Sequence, residues 1–453
     1  MTETLPVHVT ATLAAYAANA ASVELPADVL ARARFHVLDT LASMLSGSQL
    51  AAGQAALAYA ASLSEGACLV PGTALRLRPV DAALVNGMSA HADETDDTHA
   101  ASLTHPGSVI VPAAWAVGEH VGASGMQVLR AAALGYDVCC RIGITLGSYD
   151  FFRRGFDPHA FGGVFGAAFA AGSLLGFDAA RFRTLASYAA QQASGITTWV
   201  RDTHHVEKAF DFAGMPARNG VEAALLVASG MSGVADVFDG TPNFLQVFNP
   251  QATPAALIEG LGARYEIART TIKKWCVATP AQASLDGLQL LLTGHGLAPS
   301  DIATVTATIP AMSARVVTGR EMPNVNVEHL VALLLVDDRL GFANTHDAAR
   351  MTDPAVLAAR RRVTIVPSDT MPADSRGAHV AVETIDGRAF ACQIDHVRGT
   401  PANQMDTAEI AAKASDLITP LLGAARASGW IERLLTLDTV SDIRSLAPLF
   451  SLQ

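Results

Sequence analysis

Apolar residues recur at helical spacing through the first 268 residues of the chain, in segments bounded by Gly, Pro or Asp. This period is typical of amphipathic and buried α-helices. It predicts helices over residues 29–45, 79–90, 109–121, 123–146, 162–176 and 218–229. Because residues 166–176 are small on most faces, we expect their helix to pack closely in the middle of a bundle.

Near Thr270 the pattern changes to the alternation of β-strands. Strands are predicted at 303–309, 362–366, 379–385 and 388–394, with a hairpin turn at Asp386-Gly387. Helical patterns at 281–292, 327–337 and 354–361 lie between them, and further helices are predicted at 407–418 and 424–435. We therefore predict a mainly α protein. It has a helical domain at 1–268, a smaller α+β domain with an antiparallel sheet at 269–402, and C-terminal helices at 403–453 that return to the helical domain.

Composition narrows the class of protein. The chain has 453 residues, long enough for two or three domains, and its 50% hydrophobic content is ample for sizeable cores. Its net charge of −11 argues against nucleic acid or an anionic membrane as the main partner. The five cysteines form no CxxC motif, and we expect Cys139 and Cys140 to be core residues of one helix. With no signal-peptide pattern at the N-terminus and no apolar run of bilayer length, we expect a cytoplasmic protein.

The segment from His91 to His105 is the densest group of titratable residues. It holds three histidines and four carboxylates in fifteen residues of a chain that is only 16% charged. If the preceding helix continues, acids and imidazoles share two of its faces. The His105-Pro-Gly turn suits general acid/base catalysis, since an imidazole titrates near neutrality. A divalent metal site and a solvated acidic loop remain alternatives at this point.

Two later segments carry further candidate residues. His159 precedes a glycine-rich helix start, where glycines would let backbone N–H groups approach an anionic ligand, although a helix-entry role is equally open. Residues 199–220 gather cations that suit a substrate with several carboxylates, or that form salt bridges with Asp202, Glu207 and Asp211. These cations are Arg201, His204, His205, Lys208 and Arg218.

Residues near the predicted domain junction form a fourth group. Lys273 or Lys274 could add a charge to an interdomain cleft, which is a usual place for a ligand. Arg320 lies in a segment with the composition of a loop. The two lysines and Arg320 could equally lie on the surface without a binding role.

In this order the segments resemble the MmgE/PrpD family, which includes 2-methylcitrate dehydratase, cis-aconitate decarboxylase and iminodisuccinate epimerase. The resemblance rests on the run from His91 to His99, the His105-Pro turn, residues 135–138, the His159 stretch, Lys208 to Gly220, and Lys273-Lys-Trp. It spans nearly the whole chain. It implies a helical domain built from both termini, an α+β lid domain, a homodimer, an active site between the domains, and no metal or organic cofactor.

The resemblance also implies roles for particular residues. His105 is the acid or base, Asp97 and Thr98 orient it or hold substrate, and His159 is a second proton-transfer group or a substrate ligand. Lys208 is grouped with them because it would clamp a carboxylate and offset charge that develops in the reaction. The expected substrate-binding residues are Glu94, His99, Arg201, Lys273, Lys274, Gln282 and Arg320.

The sequence departs from the common family pattern at several of these positions. Glu94 replaces an Asp, one extra residue separates Thr98 from His105, and Gln282 replaces a His. Asp157 stands at the usual place of the second His, with His159 displaced by two residues, and Lys208 is displaced by one.

Family resemblance and departures together give the functional hypotheses. The first is a cofactor-independent lyase that dehydrates a small hydroxylated di- or tricarboxylate similar to 2-methylcitrate. The second is an epimerase or decarboxylase acting on a related polycarboxylate, similar to iminodisuccinate or cis-aconitate. A carboxylate-binding protein without catalytic activity is the third.

Overall fold

The computed structural model describes residues 8–372 and 375–451, and it confirms the mainly α class. The chain forms two compact units. The first comprises residues up to Thr271 together with those from Ile410 onward, and the second is Ile272–Glu409. The first seven residues, in which we expect no signal peptide, lie outside the described part. Within the described part, no helix is both long and apolar enough to cross a bilayer.

The first unit is built from helices and one small β-hairpin. Up to Thr271 its elements are α1 (Val9–Ala20), α2 (Ala27–Gly47), α3 (Ala51–Ala60), β1 (Glu65–Leu69), β2 (Arg76–Leu77), α4 (Pro79–Ala90), α5 (Pro106–Val121), α6 (Gly125–Thr145), α7 (Ser148–Arg153), α8 (Pro158–Leu174), α9 (Ala179–Gln192), α10 (Val206–Ala209), α11 (Met215–Ala228) and α12 (Phe244–Phe248).

The second unit packs helices with a four-stranded sheet. Its elements are α13 (Gln282–His295), β3 (Ile302–Pro310), α14 (Ala311–Val317), α15 (Val327–Asp337), α16 (Phe342–Thr345), α17 (Pro354–Arg360), β4 (Val363–Ser368), β5 (Ala378–Thr384) and β6 (Ala389–Ile394). After it come α18 (Thr407–Leu422) and α19 (Ala424–Leu435).

The sheet is mixed rather than purely antiparallel. Its strand order is β4-β3-β5-β6; β3 pairs with β5 and β5 with β6 antiparallel, as the hairpin pattern predicts, but β3 and β4 are parallel. Helices α14 to α17 lie in the connection between β3 and β4, and a connection of that length lets the chain return in the same direction. Alternation within each strand does not reveal this direction.

Helix α8 is buried along nearly its whole length, and it packs against α5, α6 and α11. Its glycines serve this packing, which corrects the expectation that they open the backbone to a ligand. A side chain at Gly162 would meet the Cys139 carbonyl oxygen at 2.6 Å, and one at Gly166 would meet the Gly135 carbonyl oxygen at 2.7 Å. Cys139 and Cys140 are buried core residues of α6, as predicted.

Three helix starts follow from X-Pro sequences. Pro79, Pro106 and Pro158 each open a helix, where the missing N–H costs nothing and the fixed φ is already helical. Helix α4 ends at Ala90, so residues 91–105 form a loop between α4 and α5 and do not extend the helix. The notion of two helical faces of acids and imidazoles is therefore wrong, and tertiary contacts arrange these side chains.

Candidate active site

Four histidines of the first unit lie close together, and three of them, His91, His105 and His159, contact the ring of Phe212. His91 follows α4, His105 precedes α5, His159 is the second residue of α8, and His205 precedes α10. The ring centroids of His91 lie 5.1 Å from those of both His105 and His205, and the rings of His105 and His159 are 5.2 Å apart. Phe212 stacks on His159 at 3.7 Å and on His91 at 4.6 Å. We call His91, His105, His159 and His205 the histidine cluster.

Asp96 links two members of the histidine cluster. One of its carboxylate oxygens lies 2.9 Å from Nδ1 of His91 and the other lies 3.1 Å from Nδ1 of His105. Burial opposes the charge of this carboxylate, but the two imidazoles outweigh burial and hold the pKa of Asp96 well below its usual range. A carboxylate on Nδ1 fixes the ring orientation and assigns proton transfer to Nε2.

His91, Asp96 and His105 are also of the types that bind divalent ions, and their ligand atoms lie within 4.8 Å of one another. Two hydrogen bonds account for this closeness, because each carboxylate oxygen already serves one ring. We therefore interpret the three side chains as a hydrogen-bonded group.

A second carboxylate holds His159. Asp157 is the N-cap residue of α8, and its Oδ1 accepts from the backbone N–H of His159 at 2.9 Å and lies 2.5 Å from Nδ1 of the same residue. Its Oδ2 accepts from the indole N–H of Trp199 at 2.8 Å. Asp157 is fully buried, whereas 10% of the His159 side chain is exposed. The imidazole, not the carboxylate, therefore faces His105.

Phe212 reaches the histidines from a π-helical turn, Phe210–Gly214, between α10 and α11. Turns of this kind insert one extra residue into a helix and are frequent at functional sites. The turn also carries Asp211, whose side chain contacts that of Asp157.

Lys208 is the cation of this region. Its ammonium is hydrogen-bonded to Glu94 and lies 4.9 Å from the centroid of Phe212 and 5.4 Å from that of Trp199. Only 15% of the side chain is exposed. Its partner Glu94 belongs to the His91–His105 segment. The ammonium therefore pairs with this residue rather than with Asp202, Glu207 or Asp211, the partners considered from the sequence. Asp202 instead accepts from the backbone N–H of Lys208 at 3.1 Å.

Two members of the histidine cluster have buried, unpaired nitrogens. Within the described part of the chain, Nε2 of His91 and Nε2 of His205 make no hydrogen bond. His205 also has a φ of 61°, a left-handed conformation that costs a non-glycine residue free energy and is often found at functional sites. Burial, aided by Lys208, lowers the pKa of His205 to about 3, so this ring is neutral at physiological pH.

Asp97, which we expected to orient His105 or hold substrate, has other partners in the structure. It is fully buried; Oδ1 accepts from the backbone N–H of Gly107 at 2.9 Å, and Oδ2 accepts from the Tyr136 hydroxyl at 2.6 Å and lies 2.6 Å from Nδ1 of His36. Asp96 takes the predicted contact with His105. Thr98 pairs through its backbone with Thr271, its N–H donating to the Thr271 carbonyl at 3.0 Å.

His99 lies in a separate buried network. Its Nδ1 is 2.7 Å from the Ser102 hydroxyl, and its Nε2 is 3.2 Å from a carboxylate oxygen of Glu266. With both ring nitrogens in contact with protein groups and 1% of the residue exposed, this geometry supports a role in holding the loop rather than in binding substrate.

The remaining predicted binding residues are spread over both units. In the second unit, Gln282 is buried and uses its amide in three hydrogen bonds to the backbone of Trp275 and Val277. There Lys274 contacts Gln289 and Asp286, and Lys273 is 1% exposed. Arg320 of the second unit and Arg201 of the first are exposed.

Sequence reasoning assigned no role to Phe212. It grouped His205 with the cations that suit a carboxylate substrate, and it treated His91 and Asp96 only as members of the titratable segment. Asp96 is adjacent to Asp97, and nothing in the sequence says which carboxylate meets His105 once the segment is a loop. Phe212 stands in an apolar run whose composition is that of any buried helix. For the carboxylate that contacts His159, the sequence offered one indication, the position of Asp157 two residues before it.

Comparison with known proteins gives the same family as the motifs. Sequence models of the MmgE/PrpD N-terminal domain and the MmgE/PrpD C-terminal domain match residues 11–256 and 275–438. The chain is 27% identical to a cis-aconitate decarboxylase-like protein of Aspergillus oryzae, over 98% of this chain and 97% of the relative. It is 24% identical to a cis-aconitate decarboxylase of Aspergillus terreus, over 98% and 96%, and 28% identical to a cis-aconitate decarboxylase of Homo sapiens, over 50% and 48%. The chain belongs to the MmgE/PrpD family.

Proposed function

We propose that this chain is a lyase that moves a proton at a carbon next to a carboxylate of a small polycarboxylate, with His105 and His159 as the proton-transfer groups. The observation that carries the proposal is the pair of imidazoles whose rings are 5.2 Å apart, each held at Nδ1 by a buried carboxylate. Family membership and the full-length decarboxylase relatives support a lyase-type enzyme.

The two histidines suit opposite steps of one reaction. A carboxylate on Nδ1 stabilises the protonated ring and fixes its tautomer, so that each Nε2 can take or give a proton. Because both rings are close to each other, one substrate molecule can contact both. One imidazole then removes a proton, and the other supplies one to a carbon or to a leaving oxygen.

Lys208 supplies positive charge for a substrate carboxylate. Glu94 holds the ammonium in place, and the faces of Phe212 and Trp199 favour a cation above them. Lys273, Lys274 and Arg320 remain predicted contributors to substrate binding.

Decarboxylation of a tricarboxylate similar to cis-aconitate is the first reaction to test, because the relatives that bear this name match nearly the whole chain. In this reaction the C–C bond to the leaving carboxylate breaks and CO2 is released. The electron pair of that bond forms a new C=C bond, the π pair of the original double bond moves to its far carbon, and an imidazolium protonates that carbon. Dehydration of a hydroxylated polycarboxylate is the second candidate. The paired imidazoles favour it, since they provide a base for the C–H bond and an acid for the leaving hydroxyl.

The test is a substrate screen of chelator-treated protein with cis-aconitate, 2-methylcitrate, citrate, malate and iminodisuccinate. Ultraviolet absorbance reports a double bond that is made or consumed, NMR identifies the product, and NMR in D2O reports exchange without net product, as an epimerase would give. We expect turnover that falls by a factor on the order of 10² to 10⁴ in His105→Gln.

His120→Gln is the matched control, because His120 is exposed at the opposite end of α5, about 22 Å away at 1.5 Å per residue. It should keep full activity. Turnover that is equal in His105→Gln and wild type would contradict the proposal. Ligand binding without turnover of any substrate would favour the non-catalytic alternative.

A further inference from the structure

We infer that Asp157 and Asp211 share a single proton, and that this pair of carboxyl groups positions His159 for proton transfer. The role of His159 in turnover rests on the proposed function, whereas the shared proton does not depend on it.

Asp157 has its hydrogen-bonding capacity directed at two side chains. Oδ1 serves the ring and the backbone N–H of His159, and Oδ2 accepts from Trp199. Because both oxygens of Asp157 act as hydrogen-bond acceptors, this carboxyl group is ionised. Although burial opposes the charge, His159 and Asp211 hold the pKa of Asp157 well below its usual range.

Asp211 lies against this carboxylate from the π-helical turn. Asp211 is 9% exposed, and its Oδ2 has no hydrogen-bond donor among the described residues. Gly195 makes room for both acids, since a side chain there would meet Oδ1 of Asp211 at 3.0 Å and Cβ of Asp157 at 3.4 Å. The backbone N–H of Ile196 donates to Asp211, but among the described residues no donor reaches its Oδ2, and the carboxyl group contacts the carboxylate of Asp157. A proton on one of the two acids removes the repulsion between them and supplies the missing donor.

The proton therefore resides on Asp211. Burial and the contact with Asp157 raise the pKa of Asp211 to about 10, so that it donates a hydrogen bond to Asp157 at neutral pH. One negative charge, not two, then faces His159. This balance keeps the imidazole oriented without holding its proton as tightly as two carboxylates would.

Other groups face the pair and its histidine from neighbouring elements. They are His105 at the start of α5, Phe212 of the π-helical turn, Trp199, Lys208 of α10, which lies over the rings of Phe212 and Trp199, and Glu207, which acts on Asp211. None of them lies between His159 and Asp157, which contact each other directly.

The first experiment is proton NMR of the whole protein labelled with ¹⁵N-histidine. We expect the Nδ1 proton of His159 to resonate far downfield of the amide region because of its 2.5 Å contact with Asp157. The resonance is assigned by its loss in His159→Gln. It should vanish in Asp157→Asn and persist in Asp211→Asn, where an amide replaces a protonated carboxyl group of the same shape.

Asp178→Asn is the matched control for this spectrum. Asp178 caps α9 as Asp157 caps α8, but it is exposed and its side chain accepts from Arg181. Its replacement should leave the resonance unchanged. Persistence of the resonance in Asp157→Asn, or its loss in Asp211→Asn, would overturn the inference.

The second experiment measures unfolding against pH for the wild type and Asp211→Asn. Between the ordinary pKa of 3.8 and about 10, the folded state holds a proton on Asp211 that the unfolded state has released. The wild type should therefore lose stability relative to the variant as pH rises, by up to tenfold in the unfolding equilibrium constant per pH unit. A difference that is independent of pH from 5 to 9 would overturn the shared proton.

Turnover separates this inference from the proposed function. If no substrate is turned over, the spectrum and the unfolding data still decide whether the proton is shared. If turnover is found, Asp157→Asn should lower kcat about 100-fold with little change in KM, because the ring that transfers the proton is no longer oriented. An unchanged kcat in that variant would remove the positioning role.

Discussion

Asp96 and Asp97 are neighbours in sequence, and their side chains serve different parts of the first unit. Asp96 lies between His91 and His105, at the centre of the histidine cluster. Asp97 instead accepts hydrogen bonds from the Gly107 N–H at the start of α5 and from the Tyr136 hydroxyl of α6. One carboxylate therefore orients an imidazole, and the other fixes the backbone that carries it.

Replacement of each by Asn should separate these roles. We expect Asp96→Asn to lower kcat by a factor on the order of 10², because Nδ1 of His105 loses its ionised partner. Asp97→Asn should lower the free energy of unfolding by about 2 kcal/mol, because a charged acceptor of buried hydrogen bonds is lost. Steady-state kinetics and chemical denaturation of both variants provide the check. A larger kcat loss in Asp97→Asn at unchanged stability would contradict the assignment.

At the scale of elements, two helix starts and one π-helical turn build the site. His105 and Asp157 both stand immediately before a proline that opens a helix, which fixes the backbone at each. The sequence therefore indicated that these two residues lie directly before the first turn of a helix. The π-helical turn at Phe210–Gly214 has no comparable signal, because its residues read as ordinary helix.

The loop at 91–105 is held from outside by Glu266, which lies against His99. Burial opposes the charge of this carboxylate, but the hydrogen bond and charge of His99 lower the pKa of Glu266 from 4.5 to about 2. A lowered pKa gives stability that is present above pH 4.5 and is lost as pH falls through 2.

Glu266→Gln should therefore be less stable than the wild type at neutral pH, by about 3 kcal/mol, because it leaves both His99 and Arg264 without their carboxylate partner. The difference should shrink as pH falls from 4.5 towards 2. Urea unfolding at several pH values measures it. Glu259→Gln is the control, since 73% of that side chain is exposed, and it should change little. A penalty that persists undiminished at pH 2 would contradict the pairing.

At the scale of the whole molecule, the C-terminal helix α18 contacts the loop at residues 91–105. Lys413 of α18 is buried; its ammonium lies 2.7 Å from a carboxylate oxygen of Asp39 in α2 and donates to the carbonyl of Thr95 at 3.0 Å. Thr95 directly precedes Asp96. A residue more than 300 positions away in sequence thus helps to hold the loop that orients His105.

Lys413→Met should lower the free energy of unfolding by about 3 to 5 kcal/mol, because it leaves Asp39 as a buried charge without its partner. The double variant Asp39→Asn with Lys413→Met should recover part of this loss, since both charges are then removed. Chemical denaturation of the two single variants and the double variant completes the cycle. Losses that simply add would contradict the pairing.

The sequence predicts the bounds of several helices but not how the strands pair. Helices α4, α15 and α19 have the predicted bounds, because periodicity, Pro and Gly act locally. The parallel pairing of β3 with β4 was not foreseen, because the direction of a strand depends on its connection and not on its own alternation.

By itself, the sequence determined the mainly α class and the family, and it indicated the segments that hold the candidate site residues, since these follow from local spacing and from motifs. Only the tertiary structure decided that Asp96 and not Asp97 contacts His105, that Asp157 contacts Nδ1 of His159, and that the glycines of α8 allow close helix packing. These outcomes depend on the directions in which loop side chains point and on contacts between distant segments. No local pattern encodes them, because burial and hydrogen-bond partners arise only when the chain is folded.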